Sequence, residues 1–126
     1  MLIALRVVFY LQLLLGFFRS IIVVFGVTGG WVNWIMNERI WETHTSLGIL
    51  IAVLALIALR RLPGVEQDGL RNMARFAPIL PLVTGMLLLS DMVSAVWFIV
   101  LHLLLGLTAL GLIEMASARQ RRALAR

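Results

Sequence analysis

Four apolar runs, each closed by charge, organise this chain. They cover about 7–28, 40–59, 74–90 and 92–115. Arg60 and Arg61 close the second and Asp91 the third, and Arg119, Arg121, Arg122 and Arg126 follow the fourth. A helix crossing a bilayer needs about 20 predominantly apolar residues. These runs are apolar on all sides rather than along one stripe, which separates them from the surface helices of soluble proteins. The pattern predicts an all-α fold, a four-helix transmembrane bundle forming one integral membrane domain over residues 1–126. The first run is too long for a typical signal-peptide core and no A-x-A-type site follows it, so it is expected to stay.

Between the runs the polar positions are short. Trp31, Trp34 and Trp41 surround the stretch 33–41, as aromatic side chains do at a membrane interface, and a short helix on the outer surface is expected there. Pro63-Gly64 breaks the chain after the second run, and Glu66, Gln67 and Asp68 keep it in water. Pro78 and Pro81 occupy a first turn or kink the third span. Asp91 is placed to cap the fourth.

Composition supports the bilayer: 62% of residues are hydrophobic and 13% charged, against about a quarter charged in ordinary soluble domains. A soluble fold this small cannot hide that much apolar surface. A soluble enzyme and a disulfide scaffold are excluded, and cysteine is absent. A net charge of +5 looks like a nucleic-acid signal, but the arginines sit at the ends of apolar runs, so no nucleic-acid partner is expected. Arg60, Arg61, Arg71 and Arg75 between runs two and three, with Arg6 and the tail, put both termini in the cytoplasm. The expected location is a bacterial-type inner (plasma) membrane, crossed several times.

Two stretches match in order. Val27-Thr28-Gly29 precedes His44-x-x-x-Gly48, and Val83-Thr84-Gly85 precedes His102-x-x-x-Gly106. The match suggests two tandem helix hairpins related by an axis along the membrane normal. Such an axis brings His44 and His102, the only histidines, face to face. Their heights agree. His44 lies sixteen residues before Arg60 and His102 seventeen before Arg119, roughly 24 and 25 Å of helix. Both fall in the outer third of a hydrocarbon core about 30 Å thick.

Positions 44, 48, 51 and 55 share one helix face, as do 102, 106, 109 and 113. Each face carries His, Gly, Ala and Ile. A flat macrocycle between two helices needs an imidazole above it and little bulk beside it, and Gly48 and Gly106 provide that room. Axial ligation of haem iron is the sharper reading of the pair; interhelical hydrogen bonding is the plainer one, with proton handling or quinone contact behind it. Arg19 lies thirteen residues beyond Arg6, roughly 20 Å from the inner edge and a little below the histidines. A haem propionate or a quinone carbonyl would partner it, and snorkelling to the outer interface is the alternative. Gln12 extends the same face, and Glu114 is expected to pair with nearby arginines.

Four apolar spans, His44-Thr45-Ser46-Leu47-Gly48 opening the second, and a second histidine within the fourth resemble the four-helix membrane cytochromes b, the cytochrome b-561 type nearest. The resemblance implies haem b held between helices and electron exchange with quinones or small reductants. It departs from the family in having one histidine pair where members carry enough for two haems. One haem b on His44 and His102 follows, with Gly48, Gly106 and Arg19 beside it. Its partners would be the bilayer, a quinone, or other membrane or periplasmic redox subunits. The alternative is a non-catalytic accessory subunit of a respiratory or photosynthetic complex.

Overall fold

The computed structural model describes residues 1–36, 38–60, 69–90, 92 and 95–125. It is all-helical there: α1 Leu2–Phe25, α2 Gly30–Ile35, α3 Glu38–Ala58, α4 Gly69–Phe76, α5 Ile79–Leu89 and α6 Val96–Leu124. Four stretches are long and apolar enough to cross a membrane: Leu2–Phe25, Arg39–Ala58, Gly69–Leu89 and Val96–Ala123. They form a four-helix bundle, and the chain reads as a multi-pass membrane protein. Large apolar side chains such as Phe17, Phe18, Leu80, Val83, Leu104 and Leu107 point outward, as lipid-facing positions do.

The helix ends follow local chemistry. α1 stops where Gly26 turns left-handed at φ 59°, and the Gly26 and Val27 N–H groups both cap the Ile22 carbonyl. Gly29, also at positive φ, starts the short helix α2, which begins earlier than the 33–41 stretch where the sequence predicts an interfacial one; from Glu38 that stretch is already the start of α3. α4 and α5 are one apolar run bent at Ala77-Pro78. Pro81 has no N–H to give the Ala77 carbonyl, which takes the Leu80 N–H at 3.2 Å instead. The third span thus begins at Gly69 rather than residue 74, with an amphipathic first arm. α6 begins at Val96 with Ala95 at its cap, so the fourth span starts later than residue 92. Asp91, Pro63-Gly64, Glu66, Gln67 and Asp68 lie outside the described residues.

Packing is uneven along the bundle. At the end that carries the termini, Leu5, Ala55, Ala58, Leu59, Ile113 and Ala116 form a closed core. Arg71 of α4 is buried there, only 3% exposed, and donates to Gln120 Oε1 at 2.9 Å and to the Arg60 carbonyl at 2.6 Å. Arg6 of α1 pairs with Glu114 of α6, and the Tyr10 hydroxyl donates to the same carboxylate at 3.3 Å. Toward the other end Ile22, Val32 and Phe98 are buried as well. No residue of α5 is buried, and a cavity opens beside the two histidines.

Candidate functional site

α3 and α6 present equivalent faces to one another. Ile51 and Ala55 on α3, and Ala109 and Ile113 on α6, are buried in the core, and above them each helix carries Gly and then His. This stacking brings the His44 and His102 rings within 6.3 Å, centre to centre, with their planes at 64°. Both rings line three cavities, the smallest of about 30 Å³ between Thr45, Pro81 and Gly85. One, of about 60 Å³, is walled by Gln12, Gly16, Gly48, Leu82 and Gly106. Another, of about 210 Å³, lies toward Arg19, Trp41, Leu88 and Ile99.

Each ring is seated on a glycine of the neighbouring helix. A Cβ at Gly16 of α1 would stand 2.8 Å from His44 Cε1, and one at Gly85 of α5 would stand 3.0 Å from His102 Cε1. Two helix pairs, α1 with α3 and α5 with α6, thus share one contact: a histidine lying on a glycine. This is a paired arrangement, but its members are not the ones the sequence aligns. Gly85 is the second glycine; the first is Gly16, not Gly29. The reason is local. Val83-Thr84-Gly85 lies inside α5, whereas Val27-Thr28-Gly29 lies past the left-handed stop at Gly26 and outside any span. Gly48 and Gly106 are where the sequence puts them, on the cavity wall. A Cβ at Gly106 would meet only Leu13, at 4.0 Å.

The two histidines have different surroundings. Thr84, one residue before Gly85, places Oγ1 3.0 Å from His102 Nδ1. The residue before Gly16 is Leu15, and His44 Nδ1 is buried without a hydrogen-bond partner. His44 is held instead by stacking. The Trp41 ring lies parallel to it at 5.6 Å and 7°, and the Arg19 guanidinium sits over Trp41 at 3.6 Å. Such cation–π contacts strengthen as water is removed. Arg19 Nη1 and Gln12 Oε1 are also buried without partners. All three unsatisfied atoms around the cavities therefore lie on α1 and α3.

Arg19 lies beyond the histidines rather than below them. It is one turn further along α1 than Gly16, which touches His44, and stacks on Trp41, one turn before His44 on antiparallel α3. The depth count fails because Arg6 is level with Glu114, inside the bundle, and not with Arg119 at its edge. Glu114 pairs with an arginine as expected. Gly16 escapes the sequence reading, Thr84 enters it only as a member of the repeated Val-Thr-Gly motif, and Trp41 only as an interfacial residue. Trp41 was legible, because positions i and i+3 meet on a helix and His44 is three residues on. The chain matches no protein-family model, no curated protein and no solved structure.

Proposed function

We propose that the chain is a membrane electron-transfer protein holding one b-type haem between His44 of α3 and His102 of α6. It would exchange electrons with a quinone or a partner subunit from the end of the bundle opposite the termini. One observation carries this reading: the 6.3 Å between the two ring centres. An imidazole nitrogen binds a metal at about 2.0–2.1 Å, so two rings this close would be able to hold one metal ion between them. The number of ligands favours haem over a bare ion. No group of three or more His, Cys, Asp or Glu side chains stands together among the described residues. A structural zinc site needs four protein ligands, whereas a porphyrin brings four nitrogens of its own and asks the protein for two.

The other residues suit the same group. Gly16 and Gly85 let the rings lie close to their neighbouring helices, and Gly48 and Gly106 leave space beside the rings. Arg19 offers an unpartnered buried N–H on the outer side, suited to a carboxylate. Bound there, haem supplies a one-electron iron couple. The histidines hold the iron, and the apolar lining, Leu82 and Leu103 among it, excludes water. The arginine-rich terminal end supports a cytoplasmic position for both termini, and the haem would then lie near the outer face of a bacterial-type inner membrane.

The purified chain is tested by its absorbance before and after dithionite. A Soret band with one haem per chain is expected, and it should largely disappear in His44→Ala and in His102→Ala. Because a bound cofactor also stabilises the fold by mass action, protein level is measured with each spectrum. Normal haem content in the double variant would refute the assignment. A chain that takes up no haem at all would leave the accessory-subunit reading.

A further inference from the structure

The Thr84 hydroxyl has three neighbours and one proton. It lies 3.1 Å from the Leu80 carbonyl, 3.2 Å from the Pro81 carbonyl and 3.0 Å from His102 Nδ1. A threonine inside a helix commonly donates to a carbonyl three or four residues back. With its proton committed there, Oγ1 has only lone pairs to offer the ring, and His102 Nδ1 must be the donor. The opposite assignment, Thr84 donating to Nδ1, moves the imidazole proton to Nε2. That takes the hydroxyl proton from the carbonyls and leaves an Nε2–H to be satisfied in a cavity whose lining is mostly apolar, Gln12, Ser20 and His44 being its polar residues. A donor left unmade in apolar surroundings is unfavourable. The chain Nδ1–H to Oγ1–H to carbonyl satisfies every group in line, and successive hydrogen bonds polarise one another in the same sense.

We infer that Thr84 is a positioning residue that fixes His102 as the Nδ1–H tautomer, leaving Nε2 as its lone-pair nitrogen, and that His44 has no such partner. The fold is paired at the glycines and unpaired at the next residue. Thr84 stands where the other pair has Leu15, and His44 Nδ1 is left without a hydrogen bond. The two histidines are therefore unequal. His102 is oriented by a hydrogen bond that also raises the basicity of its free nitrogen, as the outer partners of metal-bound histidines do. His44, whose Nδ1 has no partner, is oriented by the stack of Trp41 and Arg19 and by a contact with the Gln12 backbone. The tautomer stands on hydrogen-bond geometry alone; its effect on a bound iron rests on the haem proposal.

With only two histidines, the ring nitrogens are resolved by ¹⁵N NMR of the haem-free, histidine-labelled chain in micelles, with assignment from a His44→Gln variant. His102 is expected mainly as the Nδ1–H form in the native chain and in Thr84→Ser. In Thr84→Val that form should fall to a minority, while His44 signals stay in place. In the haem-loaded protein, Thr84→Val should raise the midpoint potential, because a less basic ligand stabilises ferric iron less; Thr84→Ser should keep the native value. Thr84→Ala serves if the valine variant does not fold. A native His102 carrying its proton on Nε2, or a tautomer unchanged in both Thr84→Val and Thr84→Ala, would overturn the inference. A tautomer that follows the hydroxyl with a potential that does not would overturn its ligand half. Failure of every variant to bind haem would count against the haem proposal, with the tautomer still read.

Discussion

Replacing Gly16 by alanine isolates the contact that seats His44. The added Cβ would stand 2.8 Å from His44 Cε1. Carbon atoms in good contact are about 3.5–4.0 Å apart, so the ring must retreat by about 0.7 Å or more. It has little freedom to do so, with Trp41 parallel to it at 5.6 Å and His102 at 6.3 Å. Overpacking of this kind costs about 1–3 kcal/mol. Against it stands the helix-propensity gain of alanine over glycine, about 0.8–1 kcal/mol. Gly111 of α6 measures that gain alone, because a Cβ there meets nothing within 4 Å. Gly111→Ala should therefore stabilise the chain by about 1 kcal/mol, with Gly16→Ala about 1–3 kcal/mol below it. The decisive step is a double-mutant cycle. In a His44→Ala background the opposing ring is gone, and Gly16→Ala should become as favourable as Gly111→Ala. Reversible denaturation of the haem-free chain in mixed micelles, followed by tryptophan fluorescence, reads all four stabilities. The reasoning fails if Gly16→Ala stabilises the native chain as much as Gly111→Ala does, or if its penalty persists without His44.

Two other outcomes follow from the terminal end of the bundle. Arg71→Met removes charged hydrogen bonds to Gln120 and to the Arg60 carbonyl and should lower stability by about 1.5–3 kcal/mol in the same assay, whereas Arg122→Met, at an exposed position, should change it by about 0.5 kcal/mol or less. Single cysteines placed at Asn33 and Ala125 should react with an impermeant reagent from opposite sides of sealed vesicles, Ala125 from the cytoplasmic side; reaction of both from one side would refute the orientation.

The spans were legible because a membrane helix declares itself by composition, needing only length and all-round apolarity. The shared face was legible too, since His, Gly and two core residues recur at helical spacing on α3 and α6, and Ile51, Ala55, Ala109 and Ile113 are buried as that spacing requires. What the sequence hides is which helix each face meets. Gly29 and Gly85 look equivalent by motif, yet a single left-handed residue, Gly26, ends α1 before the first motif and leaves Gly16 to take the place beside the ring. Charge misleads for a related reason. Arginines are read as markers of the membrane edge, but Arg6 is drawn inward to Glu114, and Arg71 is buried where Gln120 and the Arg60 carbonyl receive it. In both cases a polar group sits at the depth where its partner is, and not where hydropathy would put it. The same rule bears on the cavities beside the histidines. The terminal half carries the main apolar core, with Ser117 Oγ buried and unmatched in it, whereas around the cavities beside the histidines Gln12, Arg19 and His44 together keep unmatched atoms. Unmatched polar atoms beside a cavity are unfavourable in a low-dielectric interior, so something other than this chain's side chains is expected to complete them.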